Sequence, residues 1–302
     1  MEIKESFASR IKEEISQYEF SLEEKRALLA SFSKINGHLK FSNGKQLLEL
    51  STENSRIAKS LYTFIKDLYG VNVSFAYTKG MNLSKRVKYH VLVNEPDYVL
   101  GDLEVDLFDD VIPKNQVANA DLFSAYVSGA FLACGSVNDP ISSNYHLEFS
   151  FLSSSFAKAF VRLLSKYSNG KFNFKLASRR KQTVVYVKKS ETIADFLIFL
   201  KASNGTLEYE NIRVDRDFSN IGNRLSNLDG ANMAKTLKAS QRQVEEINYF
   251  VAKGGFDYFK NPKVKILMKL RLDNPDASLE ELRDLLSTEI ASSVSKSNIN
   301  HK

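Results

Sequence analysis

Apolar residues recur every three to four positions in several stretches of the chain, a spacing that predicts amphipathic helices. The first stretch is Ile3–Gln17, where Phe7 and Ile11 stand four residues apart. A second helix is predicted to open at Ser21, because Glu24 three residues later completes a capping box. Both helices precede a stretch of shorter elements.

Runs of alternating or continuous apolar residues predict strands after these helices. Asn43-Gly44 is a strong turn signal and is predicted to join the first two strands in a hairpin. Gly70 is predicted to stop the helix that follows. In chain order the predicted elements are a strand over Gly37–Phe41, a strand over Gln46–Ser51, a helix over Ser55–Tyr69, and strands over Val71–Tyr77 and Arg86–Asn94.

The same order of elements returns about a hundred residues later. Gly37 corresponds to Gly135 and Gly70 to Gly170, at offsets of 98 and 100 residues. Two copies are too few for a solenoid, so the repeat predicts a pseudo-twofold pair of halves. The second copy comprises a helix over Leu122–Cys134, a strand over Tyr145–Phe151, a helix over Ser155–Tyr167, strands over Lys171–Ala177 and Gln182–Lys188, and a helix over Ile193–Lys201.

The helix Leu122–Cys134 is predicted to lie where the two halves meet. Small residues alternate with bulky ones along it, and Gly129 in its middle weakens a helix by about 1 kcal/mol relative to alanine. A glycine at such a position predicts the close approach of a partner backbone. Gly135 is predicted to end the helix in the left-handed conformation. The alternative is an ordinary buried helix.

Composition narrows the class of protein. With 302 residues, 43% hydrophobic and 26% charged, the chain is long enough for two globular domains. Met1–Arg10 lacks the apolar core of a secretory signal, and no apolar run reaches the roughly 18 residues of a membrane helix. The one cysteine, Cys134, excludes an internal disulfide and a thiolate zinc cluster. A cytoplasmic protein is expected.

Charge is strongly segregated along the chain, which indicates an electrostatic binding face better than the net charge of +6 does. Glu95–Asp110 holds seven acids and no base. Lys171–Lys189 holds seven Lys or Arg residues and no acid.

This basic stretch coincides with two predicted strands. Period-two geometry places Phe172, Phe174 and Leu176 toward the helices and leaves a cationic side free. Such a side suits salt-dependent, sequence-independent contact with DNA phosphates. The alternatives are a solvated face and a face that the acidic stretch neutralises. The candidate phosphate-binding residues are Lys175, Arg179, Arg180 and Lys181, with Lys85, Arg86 and Lys88 in the equivalent part of the first half.

The C-terminal part of the chain has a purely helical pattern. Pro262 precedes a predicted helix over Lys263–Leu272, and Ser278 opens a capping box for a helix over Leu279–Leu286. Ser295 is predicted to cap a third segment, which makes a helix-turn-helix whose last helix meets base edges. The alternative is a helical cap without a DNA function. The candidate base-contacting residues are Lys296, Ser297, Asn298, Asn300 and His301.

Two resemblances connect these observations. LASFSKING from Leu29 and VSGAFLACG from Val127 resemble the paired helices of LAGLIDADG homing endonucleases. FLACGSVNDPISSNYHLEF and NRLSNLDGANMAKTLKASQRQVEEI resemble the WhiA family of bacterial transcription regulators, and this resemblance covers essentially the whole chain. It implies an α+β fold, in which a pseudo-twofold LAGLIDADG-like body with two repeats of helix, antiparallel strands and helix precedes an all-α helix-turn-helix domain.

The same resemblance implies an order of domains. The two halves are expected over residues 1–115 and 116–205, a connector over 206–240 and the helix-turn-helix domain over 241–302. The polar connector contains Arg224, a further candidate DNA contact, although docking against the body is the alternative. WhiA relatives are expected to continue with more basic helix than this sequence reaches at Lys302.

The carboxylates that a nuclease needs are missing from both helix motifs. Homing endonucleases place an acid at the penultimate motif position, where paired carboxylates hold the catalytic metal ions. These positions are Asn36 and Cys134, and neither is a hard anionic ligand. Asp139 is predicted to cap its own loop. The four histidines lack metal-ligand spacing, and His38 and His146 are expected to make ordinary hydrogen bonds.

The sequence therefore predicts a sequence-specific DNA-binding transcription regulator of the WhiA type, with no catalytic residue, metal or cofactor. Double-stranded DNA is the expected partner, and no membrane is involved. The resemblance implies a link to sporulation or cell division, a nucleoid-associated location, and other transcription or cell-division proteins as further partners. The alternatives are a divergent LAGLIDADG endonuclease and a scaffold that binds a protein or a small effector.

Overall fold

The computed structural model describes residues 5–42, 44–80, 87–142, 144–256 and 259–295. The chain divides into two compact units, Met1–Asp215 and Arg216–Lys302. The first unit is built from helices and antiparallel sheets, and the described part of the second is helical. The predicted α+β body with an all-α C-terminal region is confirmed.

The first half of the body contains one four-stranded antiparallel sheet in the order β1-β2-β4-β3. Its first helix begins at Phe7, because Ser6 caps it by accepting a hydrogen bond from the Ser9 amide, and the predicted start at Ile3 lies outside the described residues. The elements are α1 (Phe7–Gln17), α2 (Leu22–Asn36), β1 (Gly37–Ser42), β2 (Lys45–Thr52), α3 (Ser55–Tyr69), β3 (Val73–Lys79) and β4 (Val87–Val93).

The second half repeats this arrangement, with its sheet in the equivalent order β5-β6-β8-β7. This repetition confirms the predicted pseudo-twofold body. A connecting helix, α4 (Pro96–Asp102), lies between the halves. The elements that follow are α5 (Ala120–Cys134), β5 (Gly135–Val137), β6 (Leu147–Phe151), α6 (Ser154–Tyr167), β7 (Lys175–Arg179), β8 (Gln182–Val187) and α7 (Ser190–Phe199).

The start of β7 differs from the prediction. The strand was expected from Lys171, but the amides of Lys171 and Phe172 donate to Ser168 and form a turn there. Phe172 and Phe174 are buried as predicted, whereas Leu176 is 41% exposed. The hairpin therefore begins at Lys175, nearer to the basic turn than the sequence predicted.

The two halves meet through α2 and α5. A Cβ atom added to Gly129 would lie 2.2 Å from the carbonyl oxygen of Leu28, far closer than real Cβ atoms approach. The predicted close approach of two helix backbones is confirmed. Leu28 and Leu29 on one side and Val127 and Ala130 on the other are fully buried. This paired-helix surface, α2 against α5, is called the seam below.

The predicted left-handed conformation of Gly135 is wrong. Gly135 is extended, with φ −76° and ψ 153°, because a strand begins there directly after the helix. A side chain is excluded for another reason: a Cβ atom would lie 2.2 Å from the ring of the buried Phe131. Left-handed glycines instead occur at Gly70 and Gly170, with φ of 59° and 78°.

The helical part of the chain begins with one long helix, α8 (Ser203–Gly254), which starts in the first unit and continues into the second. It runs through the predicted connector without a break. Two shorter helices follow, α9 (Pro262–Asp273) and α10 (Leu279–Glu289). None of the described helices combines the length and apolarity needed to span a bilayer.

Candidate nucleic-acid interface

The C-terminal ends of the seam helices carry neutral groups. Asn36 donates a hydrogen bond from Nδ2 to the carbonyl oxygen of Ser51 at 2.6 Å, which ties the end of α2 to the sheet. Burial raises the pKa of the Cys134 thiol to about 12, so the sulfur stays protonated at neutral pH. Neither group supplies the anionic oxygen that Mg²⁺ prefers.

A lysine amine lies beside these helix ends. Lys12 of α1 donates from Nζ to the carbonyl oxygen of Leu132 at 3.3 Å, and its Nζ lies 5.8 Å from the centre of the Phe131 ring. Burial lowers the pKa of Lys12, while the neighbouring Cys134 and Glu53 act in the opposite direction. Within the described ranges, no group of three or more His, Cys, Asp or Glu side chains is placed to hold a metal ion.

The helix ends open into a concavity of about 1010 Å³. Asn36, Lys12 and the residues on both sides of Cys134 contribute to its lining. The Oγ of Ser51, a residue only 1% exposed, also belongs to this region and has no hydrogen-bond partner among the described residues. The concavity is therefore lined by a partly buried amine, that of Lys12, and by the residue that carries an unsatisfied hydroxyl, Ser51.

Each sheet carries one carboxylate–histidine pair on the face opposite the buried core. In the first sheet Glu49 Oε1 lies 2.5 Å from His90 Nδ1, and Lys40 Nζ lies 3.1 Å from the same carboxylate. Partial burial by itself would raise the pKa of Glu49, but the hydrogen bonds from Lys40 and His90 lower it overall. His90 also bonds to Thr78 at 2.9 Å.

The second sheet repeats the carboxylate at Glu148, on the strand equivalent to that of Glu49. His146 Nε2 lies 2.8 Å from Glu148, and the His146 ring stacks on Tyr186 with centroids 5.5 Å apart. The ordinary hydrogen bond expected of His146 is confirmed. Sequence reasoning missed the pair of acids, although their offset of 99 residues lies between the offsets of 98 and 100 that relate the matched glycines of the two halves.

The basic residues predicted in the second half lie together on the β7–β8 hairpin. Lys175 and Arg179 share a face of the sheet with Glu148, and Arg179 Nη1 lies 3.9 Å from that carboxylate. Arg180 and Lys181 form the turn, where Arg180 has a left-handed φ of 56°. All four side chains are exposed.

The remaining basic candidates are distributed differently. Lys88 is exposed on β4, whereas Lys85 and Arg86 lie outside the described residues. Arg224 lies on α8 in the second unit and is exposed. DNA contact by any of these side chains remains a prediction.

The acidic stretch that follows the first half is tied to helices. Asp102 accepts a hydrogen bond from Arg26 of α2 at 3.0 Å, and Asp109 accepts one from Lys34 of α2 at 2.9 Å. Asp110 bonds to Ser155 at the start of α6. These acids pair with α2 and α6, and the alternative in which they neutralise the basic hairpin is not supported by these contacts.

The second unit contains the two helices predicted before the recognition helix. Ser278 accepts a hydrogen bond from the Glu281 amide at 3.2 Å, and the Glu281 carboxylate accepts one from the Ser278 amide at 2.6 Å. This capping box starts α10 as predicted. Leu282 and Leu286 of α10 are buried.

A buried arginine holds the turn between α9 and α10. Arg271 is 3% exposed and donates from Nη1 to the carbonyl oxygen of Ala277 at 2.6 Å. Burial lowers the pKa of its guanidinium group. A single arginine at the end of a helix gives no sequence signal for this role. The five predicted base-contacting residues, Lys296, Ser297, Asn298, Asn300 and His301, lie outside the described residues.

Comparison with known families matches this arrangement along most of the chain. Residues 22–105 match the WhiA N-terminal LAGLIDADG-like domain, 123–219 the WhiA LAGLIDADG-like domain, and 223–302 the WhiA C-terminal HTH domain. The fold thus defines a LAGLIDADG-like body joined to a helix-turn-helix region.

Similarity to individual proteins extends over the full chain. A "Probable cell division protein WhiA" of Staphylococcus carnosus is 34% identical, with 98% of this chain and 94% of the relative covered. That of Bacillus pumilus is 36% identical, with 98% and 93% covered. The chain belongs to the WhiA family, as its sequence motifs predicted.

Two solved structures share the fold. Full-length WhiA from Thermatoga maritima has a TM-score of 0.61 at 22% identity, covering 98% of this chain and 94% of that one. The N-terminal LAGLIDADG domain of a WhiA protein has a TM-score of 0.52 at 22% identity, covering 66% and 91%. At this level of identity the likeness concerns the fold alone.

Proposed function

We propose that this protein is a sequence-specific DNA-binding transcription regulator without nuclease activity, with a role in cell division or sporulation. Membership of a family with a helix-turn-helix domain supports DNA binding. The relatives' name, "Probable cell division protein WhiA", supports the biological role. The proposed location is the nucleoid in the cytoplasm, with double-stranded DNA as the partner and transcription or cell-division proteins as further partners.

The observation that carries the proposal is the chemistry at the ends of α2 and α5. A two-metal nuclease needs carboxylates there to hold cations on the scissile phosphate. Here a neutral amide and a protonated thiol occupy the two helix ends, and the amine of Lys12, whose pKa burial lowers, lies beside them. Neither Asn36 nor Cys134 gives a divalent cation an anionic ligand.

The expected domains have different proposed roles. Residues 1–115 and 116–205 form the two halves of the body, 206–240 form the connector, and 241–302 form the helix-turn-helix domain that contacts the bases. Base contacts come from the segment after Ser295. Phosphate contacts from the β7–β8 hairpin and from Arg224 stabilise the position of the protein on the duplex.

Cleavage and binding assays test the main proposal together. The protein is incubated with supercoiled plasmid and Mg²⁺, with EDTA as the control, and gel shifts with linear duplex are run over a series of salt concentrations. We expect binding that weakens with salt and no nicking. Cleavage that EDTA abolishes would contradict the regulator proposal, and absence of binding even at low salt would favour a scaffold function.

Base recognition by the helix-turn-helix domain is tested by a double variant, Asn298→Ala with Asn300→Ala. Asparagine hydrogen-bonds adenine through two atoms in the major groove, so the double variant is expected to lose about 10-fold or more in preference for specific over random duplex. Competition gel shifts measure that ratio. An unchanged preference would place base readout elsewhere in the chain.

The basic hairpin is tested by Arg179→Ala, Arg180→Ala and Lys181→Ala combined. The slope of log K against log salt is expected to fall by about one unit for each phosphate that the protein no longer neutralises. A second triple variant changes the net charge by the same amount as the hairpin variant and combines Lys158→Ala, Arg162→Ala and Lys166→Ala. Those residues lie on α6, which packs on the opposite side of the same sheet, and they provide the matched control. Equal slopes for the two triple variants would show that the hairpin does not contact DNA phosphates.

The concavity at the seam favours a second candidate function, the binding of a small polar effector. A buried hydroxyl without a partner costs about 1–3 kcal/mol unless something satisfies it, and Ser51 is such a group among the described residues. Thermal-shift screening with nucleotides and metabolites, followed by Ser51→Ala, tests this function. Loss of a ligand-induced shift in the variant is expected if the hydroxyl binds the effector.

A further inference from the structure

The middle of α8 carries an apolar stripe that the rest of the described chain leaves uncovered. Phe218, Ile221, Leu225 and Leu228 are 71%, 53%, 56% and 56% exposed. All four lie in the second unit and on one continuous helix. Isolated exposed apolar residues are common on protein surfaces, but a contiguous row of large ones indicates an interaction surface.

The helix that bears this stripe is intrinsically weak. Gly222 and Gly230 lie within it, and each destabilises a helix by about 1 kcal/mol relative to alanine. The other positions between Arg216 and Asn232 include several Ser and Asn residues, which also favour helix poorly. Helices of this kind are stabilised by burial of an apolar face, so the stripe requires a partner.

The spacing of the stripe is that of a coiled coil. Intervals of three, four and three residues separate Phe218, Ile221, Leu225 and Leu228, which places Phe218 and Leu225 at a positions and Ile221 and Leu228 at d positions. The next a position is Asn232. A single asparagine at such a position fixes the register of a two-stranded coil, because its amide pairs with that of the other strand.

We propose that this stripe pairs with the same stripe of a second copy of the chain, in a short parallel coiled coil. The charges at the flanking positions are complementary in that arrangement. Arg224 occupies a g position and Asp229 the e position that faces it on the other strand, so symmetry provides the pair twice. The remaining g–e contacts between residues 216 and 236 join Asp217 to Gly222 and Ala231 to Thr236, without like charges in opposition.

The composition of the polar side argues against a lipid surface as the partner. Interfacial helices have a strongly basic polar face, whereas residues 216–236 contain three basic and two acidic side chains, a difference of only +1.

Pairing also has a consequence that rests on the proposed function. A dimer carries two helix-turn-helix regions, which suits a site made of two half-sites.

Sedimentation velocity of the full-length protein without DNA, over a range of concentrations, tests the pairing directly. We expect reversible dimerisation of the wild-type chain. Leu225→Asp places a charge in the core of the coil and is expected to weaken the dimer at least about 100-fold. Ser226→Asp adds the same charge at the next, outward-facing position and is expected to leave the dimer intact.

Charge reversal separates loss of pairing from loss of folding. Arg224→Glu places a carboxylate opposite Asp229 of the other strand at both symmetric contacts, so it is expected to weaken the dimer. Combining Arg224→Glu with Asp229→Arg is expected to restore the attraction and the dimer. Recovery in the double variant shows that both substitutions are compatible with the folded chain, and an unchanged circular dichroism spectrum of the single variant shows that it lost pairing and not folding. Failure of the double variant to recover, with an unchanged circular dichroism spectrum, would overturn the parallel arrangement.

Disulfide trapping reports the orientation of the strands. In a parallel coil Leu225→Cys faces its own copy and is expected to cross-link under mild oxidation, while Ser226→Cys is not. The protein with only the native Cys134, which lies in the first unit, serves as the background. A wild-type chain that stays monomeric at all concentrations, or equal cross-linking at the two positions, would overturn the proposal whether or not the chain binds DNA.

Discussion

The seam and the middle of α8 are both helix surfaces built for close packing, but they differ in what covers them. At the seam, small residues let two backbones of the same chain touch, with the Gly129 position 2.2 Å from a carbonyl oxygen when a Cβ atom is added. On α8, large side chains stand outward, and Phe218 is 71% exposed. The seam is complete within one chain, whereas the α8 surface is complete only with a partner.

The contrast also concerns glycine. Gly129 and Gly230 both lie within helices, yet only the first faces another backbone among the described residues. The same residue type therefore marks tight packing in one region and weak helix in the other. Substitutions at the two positions are expected to act in opposite directions.

The largest expected effect is at the seam. Gly129→Val forces α2 and α5 apart or strains both, and we expect a loss of about 3 kcal/mol or more in the free energy of unfolding. Urea unfolding followed by circular dichroism measures it. A loss below about 1 kcal/mol would show that the helices tolerate separation and would weaken the contrast with α8.

A smaller loss is expected in the second unit, where one side chain holds a turn. Arg271→Met removes the guanidinium group that donates to Ala277 and is expected to destabilise α9 and α10 by about 2 kcal/mol. Amide hydrogen exchange of the two helices measures the effect. Lys263→Met, at an exposed position of α9, is the control and should leave exchange unchanged. Equal exchange in the two variants would contradict a structural role for Arg271.

Gly230→Ala is expected to strengthen α8 by about 1 kcal/mol, because among the described residues no atom outside the glycine's own stretch of helix lies within 4 Å of the added Cβ. Slower amide exchange over the surrounding turns would show it. Faster exchange would mean that this glycine, like Gly129, faces a close neighbour. Opposite signs at the two glycines would confirm the contrast between the two helix surfaces.

A pH dependence is also expected at the seam. The Cys134 pKa is raised from 9.0 to about 12 in the folded protein, so the unfolded chain loses this proton first as pH rises. The stabilisation is therefore complete below pH 9.0 and is lost as pH rises toward about 12.

Urea unfolding at several alkaline pH values tests this dependence. Cys134→Ala is expected to decline less steeply than the wild type. Lys12 has a lowered pKa and acts with the opposite sign, so Lys12→Met is expected to decline more steeply. Identical slopes in all three proteins would contradict the burial of both groups.

Elements coded by local chemistry were predictable from the sequence. The helix Ser55–Tyr69 has the predicted bounds because Asn54 caps its start and Gly70 takes the left-handed conformation at its end. The capping box at Ser278 lies within four residues of sequence. The family was also readable, because its motifs lie in continuous stretches.

Features that depend on distant residues were predicted less well. The Gly135 conformation was wrong because the sequence showed a helix end and not the strand that starts there, with Phe131 behind it. The pairing of the acidic stretch with Arg26 and Lys34 joins residues more than seventy positions apart. No local pattern records such a pairing.

The sequence by itself determined the repeat, the helix-turn-helix pattern, and the absence of acids at Asn36 and Cys134, because each is a matter of residue type and spacing. Only the tertiary structure placed Lys12 beside Leu132, 120 residues away, and matched Glu49 with Glu148 on equivalent strands. It also showed that the seam is covered while the stripe of Phe218 and Leu225 is exposed. Burial depends on which residues pack around a side chain, and the sequence alone does not specify those neighbours.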